Sequence, residues 1–112
     1  MAGTIKRTFG PLALTNTLTT NIYNQGSALI YDVIKHIHIS NKTAGPVSFS
    51  LWLGATGGNV AGTELFTGTV IPANDYFDWY GNLKMTNTEF LVGGASAATS
   101  LTILAEGEQY AT

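Results

Sequence analysis

Apolar and polar residues alternate along much of the chain with the two-residue period of a β-strand. The clearest example is PVSFSLWLGA (46–55), where apolar side chains occupy the odd positions from Val47 to Leu53, and two serines and Trp52 occupy the even ones. Because successive side chains of a strand point to opposite faces, this pattern predicts a half-buried strand with its odd positions inward.

A second strand is predicted in DVIKHIHIS (32–40), although its alternation is less regular. The period of two divides its residues between two faces: Val33, Lys35, Ile37 and Ile39 on one, and Ile34, His36, His38 and Ser40 on the other. We expect Lys35 to lie near the start of this strand, where its aliphatic stem can carry the ammonium group to solvent.

Similar segments predict further strands at residues 14–23, 63–71, 76–80, 89–93 and 100–108. They are separated by NQGS, NKTAGP, GATGGNVAG, PAND, GNLKMTN and GGASAA, which consist largely of turn-forming residues. Roughly seven or eight short strands, with a break about every 8 to 12 residues and no amphipathic helix, predict an all-β fold. We therefore expect a single antiparallel β-sandwich of the jelly-roll or immunoglobulin-like type.

The first twelve residues differ from this pattern, since they are mixed in polarity and end near Gly10-Pro11. They predict an N-terminal arm (1–12) in front of a sandwich domain (13–112). Such an arm is either frayed or lies across a neighbouring subunit. If the arm lies across a neighbouring subunit, deletion of residues 2–10 should weaken assembly while the isolated domain stays folded.

Composition narrows the classes of function. With 112 residues the chain has the size of one domain, and only 11% of its residues are charged, against about 25% in an average soluble protein. A net charge of −2 disfavours a nucleic-acid binder, and the absence of cysteine excludes disulfides and thiolate ligands. No signal peptide or membrane-spanning stretch is apparent, which predicts a soluble chain made in the cytosol.

The two histidines raise the question of a metal site. His36 and His38 share one face of a predicted strand, but a catalytic metal usually needs three protein ligands. In the cupin type of jelly roll a glutamate follows the histidine pair, whereas here SNKT (40–43) follows, and nothing in the sequence brings Asp75 or Asp78 nearby. The sequence therefore predicts no metal and no cofactor, with a cupin-like metalloenzyme as a minor alternative, and favours histidines on a polar sheet face or at a subunit contact.

Other catalytic patterns are also missing. Asp75 and Asp78 are three residues apart and point to opposite faces of a strand, so they cannot flank one glycosidic bond. Glu106 and Glu108 share a face and are interpreted as solvated charges. GGASAA lacks the frame of a nucleophile elbow, and GATGGN lacks the lysine of a phosphate loop. The sequence thus predicts a protein that is not an enzyme and has no catalytic residues.

Aromatic residues are the remaining functional candidates. Trp52 lies on the outward parity of its strand, and YFDWY (76–80) places Tyr76 and Tyr80 on one face and Phe77 and Trp79 on the other. Large rings on a surface with few charges are typical of a protein interface or a sugar-stacking platform. For Trp52, cover by its own chain and cover by a partner remain equally open. The predicted interface residues are Lys6, Arg7, Phe9, Trp52, Tyr76 and Tyr80.

The stretch from about Ala28 to Tyr110 resembles a group of small β-sandwich virion proteins of tailed bacteriophages. The shared features are KHIHISNKTAGPVSFSLWLGA, GTELF, VIPANDYFDWYGNLKM and ASAATSLTILAEGEQ. This chain departs from the group at Asn87-Thr88-Glu89, where Gly-Asp is common, and the shared motifs describe turns and strands more than a role.

The resemblance implies a non-enzymatic structural protein of the virion, either a capsid decoration protein or a minor tail or neck protein. It further implies a homo-oligomer that binds the major capsid protein or a tail or neck protein, without nucleic acid or membrane, and that assembles in the host cytoplasm. The alternative function is a carbohydrate-binding or receptor-adhesion module of a phage tail, with Trp52 or the pair Tyr76 and Tyr80 stacking on sugar rings.

Overall fold

A computed structural model describes residues 3–112, which form an antiparallel all-β fold with strands in two sheets. The strands are β1 (Thr4–Ala13), β2 (Asn21–Tyr23), β3 (Ile30–Asn41), β4 (Val47–Gly54), β5 (Glu64–Ile71), β6 (Tyr76–Met85), β7 (Phe90–Ala95) and β8 (Leu101–Ala111). The predicted β-sandwich is confirmed. Within the described residues there is no helix long and apolar enough to cross a membrane.

The two sheets have the strand orders β1-β8-β3-β6 and β2-β7-β4-β5. Most connections carry the chain from one sheet to the other, and β4 and β5 are the consecutive strands that pair as neighbours. As a result, β3 lies between β6 and β8, which are far from it in sequence. Any site on this sheet is therefore built from residues that the sequence keeps apart.

The core lies between the inward faces of the two sheets. As the alternation predicts, Val47, Phe49 and Leu51 of β4 are buried, and Leu51 is 0% exposed. Ile39 of β3 and Ile103 of β8 face them from the other sheet and are also 0% exposed. Full burial of an aliphatic or aromatic side chain of this size stabilises the folded state by about 1.5–3 kcal/mol. The alternating apolar residues therefore favour the arrangement in which all of them face the space between the sheets.

A β-bulge explains the irregular alternation of β3. Ile34 pairs with Gly107 and His36 pairs with Glu106, so Lys35 is an extra residue on β3 relative to β8. The bulge shifts the phase of the strand, and Ile34, predicted to point outward with the histidines, is 0% exposed in the core. Lys35 lies in the middle of the strand, where its ammonium group contacts Glu108 at 2.6 Å.

Gly107 of β8 lies directly against the backbone of β3 at this bulge. A methyl group at this position would lie 1.9 Å from the carbonyl oxygen of Val33. Gly107→Ala should therefore push the two strands apart and lower the free energy of unfolding by about 1–3 kcal/mol in denaturant titrations. Gly45→Ala is the matched control, because no atom lies within 4 Å of the added methyl group. Equal effects of the two substitutions would contradict this close approach.

Two predicted boundaries are wrong. The strand predicted over residues 14–23 is reduced to β2, because the threonines before it bond locally: Thr15 and Thr20 contact through their hydroxyl groups at 2.6 Å, and Thr20 donates to the carbonyl of Thr17. Such local bonds compete with strand pairing. In contrast, residues 81–85, predicted as a turn, continue β6, because the long strand β3 offers them a partner and Met85 is completely buried.

Most of the predicted arm belongs to the sandwich. Residues 4–13 form β1, which pairs with β8 along its length and forms one edge of its sheet. Phe9 is 8% exposed and packs into the core, where its ring stacks on Tyr23 at 5.3 Å. The mixed polarity that suggested an arm reflects an edge strand with two irregularities in its register, after Arg7 and after Phe9. Residues 1 and 2 of the arm lie outside the described part of the chain.

Candidate functional site

The outer face of the β1-β8-β3-β6 sheet carries a cluster of ionisable side chains. Because Ile37 and Ile39 point into the core, His36 and His38 point outward from β3. On one side His38 pairs in register with Asp78 of β6, and on the other His36 pairs with Glu106 of β8. We call His36, His38 and Asp78 the histidine–aspartate cluster.

One carboxylate oxygen joins the two histidines. Oδ1 of Asp78 lies 2.7 Å from Nε2 of His36 and 2.7 Å from Nδ1 of His38, so each imidazole can donate a hydrogen bond to it. The second ring nitrogen of His36, Nδ1, lies 3.3 Å from Oε1 of Glu106. His36 thus has a carboxylate oxygen at both of its ring nitrogens.

Two tyrosines of β6 flank the cluster. The ring of Tyr80 stacks on that of His36, with a centroid distance of 4.5 Å and an angle of 2° between the planes. Tyr76 packs against His38 at 5.5 Å in a tilted arrangement. Both tyrosines are more than half exposed, at 61% for Tyr76 and 71% for Tyr80. Each ring therefore contacts a histidine and also presents a large part of its surface to solvent.

The carboxylates change the protonation of the cluster. Partial burial lowers the pKa of His36, but the hydrogen bonds to Asp78 and Glu106 outweigh it and raise that pKa above its usual value. The same bond to His36, and then the one to His38, lowers the pKa of Asp78. His36 therefore keeps its second proton to a higher pH than a free histidine.

The cluster contains donor atoms suitable for a cation. One atom from each of its three residues lies within 4.8 Å of the others. The side chains of His36 and Asp78 are 22% and 24% exposed, so solvent reaches the cluster directly. The sequence argument against a metal was the lack of a third ligand, and pairing of β6 with β3 brings Asp78 to that position.

Three of the predicted interface residues make their main contacts within their own chain. The ammonium group of Lys6 contacts Asp32 at 3.3 Å and Gln109 at 3.1 Å. Phe9 is a core residue, and Trp52 is 7% exposed. These three side chains are therefore held by their own chain and offer little surface to a partner.

The cover of Trp52 comes from the chain itself. Trp52 pairs with Val92, which is also completely buried, on the face of β4 and β7 opposite to the core. The segment before β2 lies on this outer face, where the carbonyl oxygens of Thr15 and Thr17 approach Gly94. Of the two alternatives left open by the sequence, cover by the same chain is the one observed.

The other three predicted interface residues remain at the surface. Arg7 is exposed on β1 opposite Glu106, and Tyr76 and Tyr80 are exposed on β6. Sequence reasoning missed the roles of Asp78 and Glu106 beside the histidines. The alternation of residues 76–80 places Asp78 on the same face as Tyr76 and Tyr80, and this could have been predicted. The pairing of β6 with β3 could not be predicted from the local pattern.

Comparison with known proteins gives no assignment: no family model matches the chain, and a search of curated proteins finds no match. Function is therefore inferred from the geometry and surface of the chain itself.

Proposed function

We propose that this chain is a non-enzymatic structural protein of a tailed-phage particle, which binds the capsid surface or the neck or tail and stabilises it through contacts of many copies. The observation that carries the proposal is the position of the exposed apolar side chains. Several of them lie on strands at the open edges of the two sheets. Such edges tend to pair with other chains unless they are protected.

The edge strands carry some of the charges and bulges that usually protect an edge, but each of three edge strands also exposes large apolar or aromatic side chains. Ile5 on β1 is 86% exposed and Val70 on β5 is 60% exposed, and both strands end a sheet. On β6, another edge strand, Tyr76 and Tyr80 are exposed. Monomeric proteins commonly place charges at such positions to prevent pairing, and apolar and aromatic residues at edges favour association.

The strand order supports the same proposal at the level of architecture. The chain crosses between sheets at most of its connections, as in two interleaved Greek keys, which favours the jelly-roll type over the immunoglobulin-like type. Jelly rolls occur in viral capsid proteins and in lectins, so this architecture fits both a virion protein and a sugar-binding module. Fold alone does not choose between them, and the exposed edges favour the virion protein.

The proposal predicts association of the isolated protein through its edges. The wild-type chain should form oligomers in sedimentation velocity experiments, and Ile5→Lys or Val70→Lys should shift it to monomers, because a charge at an edge opposes strand pairing. Val60→Lys is the matched control, since Val60 is 65% exposed but lies in the loop between β4 and β5. A wild-type monomer at all concentrations, or equal effects of edge and loop variants, would argue against edge-mediated assembly.

A second experiment tests the particle itself. In a host that produces the phage, the chain should sediment with intact particles in a density gradient, and the Val70→Lys variant should be depleted from them relative to Val60→Lys. A chain that oligomerises in isolation but stays entirely in the soluble fraction would overturn the virion assignment and leave edge-mediated assembly intact.

A carbohydrate-binding module is the second candidate function. It is favoured by Tyr76 and Tyr80, whose exposed rings flank the polar Asp78 on one face of β6. Sugars bind to such combinations of aromatic rings and hydrogen-bonding groups. Glycan-array binding that is lost in both Tyr76→Ala and Tyr80→Ala would favour this function. Trp52→Ala is not a suitable test, because that side chain is buried.

A further inference from the structure

We propose that the histidine–aspartate cluster is a binding site for Zn²⁺, in which Nε2 of His36, Nδ1 of His38 and a carboxylate oxygen of Asp78 are the protein ligands. The site would join edge strand β6 to the neighbouring strand β3. It does not depend on the proposed virion function, because it is argued from the geometry of these side chains alone.

The donor atoms are of the right kind and close together. Zn²⁺ is commonly bound by histidine nitrogens and carboxylate oxygens, at about 2.0–2.2 Å from each. Ligand atoms around a tetrahedral ion then lie roughly 3.3 Å apart. Both nitrogens lie 2.7 Å from the same oxygen of Asp78, so each of these two N–O separations would open by about 0.6 Å to admit the ion. All three ligand atoms lie within 4.8 Å of one another.

The surroundings of His36 are those of a metal-binding histidine. Such a histidine usually donates the hydrogen of its other ring nitrogen to a carboxylate, which fixes its tautomer and orientation. Glu106 occupies this place, 3.3 Å from Nδ1, and leaves Nε2 directed at Asp78. The parallel stack on Tyr80 fixes the plane of the ring as well. Two independent contacts thus hold His36 in an orientation that suits a metal ligand.

The charge of the cluster is also suitable. Zn²⁺ would replace the protons that the two imidazoles share with Asp78, and the carboxylates of Asp78 and Glu106 would balance its charge. Imidazole nitrogens select first-row transition metals over Mg²⁺ and Ca²⁺, which prefer oxygen ligands. His38 is 38% exposed on its side chain, so the fourth position of a tetrahedral site is open to water.

The consequence is a metal-dependent clamp at one edge of the sheet. His36 and His38 lie on β3 and Asp78 lies on β6, so an ion bound to all three ties the edge strand to its neighbour. A ligand that binds only the folded state raises the apparent stability in proportion to the logarithm of its concentration over the dissociation constant. Zn²⁺ should therefore raise the melting temperature of the protein.

The experiment uses tag-free protein that has been stripped with a chelator. Isothermal titration calorimetry with Zn²⁺ alone should give one site per chain, and Co²⁺ should give the visible absorption of a tetrahedral nitrogen–oxygen site. Asp78→Asn and His38→Ala should each lower the affinity for Zn²⁺ at least tenfold. Glu106→Gln, which leaves all three ligands in place but removes the carboxylate beside Nδ1 of His36, should still bind one ion with affinity lower by about 10- to 100-fold.

Controls separate loss of a ligand from loss of the fold. Glu64→Gln makes the same carboxylate-to-amide change on β5, in the other sheet, and should bind Zn²⁺ like the wild type. The cooperative unfolding of each variant without metal verifies that it is folded, and His38→Ala removes the more exposed of the two rings. Wild-type protein that takes up no stoichiometric Zn²⁺, or folded His38→Ala and Asp78→Asn variants that bind like the wild type, would overturn the proposal.

Discussion

Deletion of residues 2–10 is expected to prevent the domain from folding. The deleted segment contains most of β1, including Phe9, whose ring is packed in the core against Tyr23. Loss of a buried phenylalanine side chain alone costs about 3–5 kcal/mol, and small domains are stable by only about 5–15 kcal/mol. The deletion also removes the cation that faces the buried carboxylate of Asp32. Together with the lost pairing of β1 with β8, these losses are comparable to the whole stability of a typical domain of this size.

Circular dichroism and thermal unfolding measure this result directly. The truncated chain should lack a cooperative transition, whereas a chain that lacks only residues 2 and 3 should unfold much like the wild type. Ile5→Ser is a second control within the strand, because Ile5 is 86% exposed and outside the core. A truncated chain with cooperative unfolding near the wild-type midpoint would show that the segment is a dispensable arm, as its mixed polarity suggests.

Lys6→Met is expected to lower the free energy of unfolding by about 3–5 kcal/mol. Asp32 is 0% exposed, and its carboxylate accepts hydrogen bonds from Lys6 and from the hydroxyl group of Tyr23. Burial and the bond to Asp32 raise the pKa of the Tyr23 phenol, so Tyr23 remains a neutral donor and cannot replace the missing positive charge. The substitution thus leaves a buried carboxylate without its counter-ion, which is the costly case for an ion pair.

Denaturant titration of single and double variants isolates this effect. Removal of both charges in Lys6→Met/Asp32→Leu should recover much of the loss, because an apolar pair carries no desolvation cost. Lys35→Met is the matched control: it breaks the surface pair with Glu108, which should contribute little to stability. Equal losses for Lys6→Met and Lys35→Met would contradict the interpretation of Lys6 as the counter-ion of a buried acid.

Most of the fold could be predicted from the alternation of apolar and polar residues, because burial of one face of a strand imposes a period of two on its sequence. Val47, Phe49 and Leu51 lie inward as their alternation predicts. The exception in β3 arises because one extra residue at Lys35 reverses the parity of the strand. Periodicity detects the break in the pattern, but a bulge becomes evident only from the pairing with β8.

Only the histidines of the candidate site could be predicted from the sequence. The spacing of His36 and His38 places both rings on one face, and this prediction is confirmed on the outer face of β3. Asp78 and Glu106 lie beside the histidines because β6 and β8 flank β3. This strand order depends on the whole fold and could not be predicted from local sequence. The same limit explains why Lys6 was assigned to an interface. Its partner Asp32 is distant in sequence, and nothing in the local pattern indicates that Asp32 is completely buried.

The central place of β8 affects how the protein can be made. This strand ends at Ala111, yet it lies between β1 and β3 and completes the hydrogen bonding of both. During synthesis the growing chain therefore exposes β1 and β3 without their shared neighbour until β8 has been made. Folding of this sheet must wait for β8, and the delay exposes the unpaired strands to wrong partners at the stage when the protein is most vulnerable to aggregation.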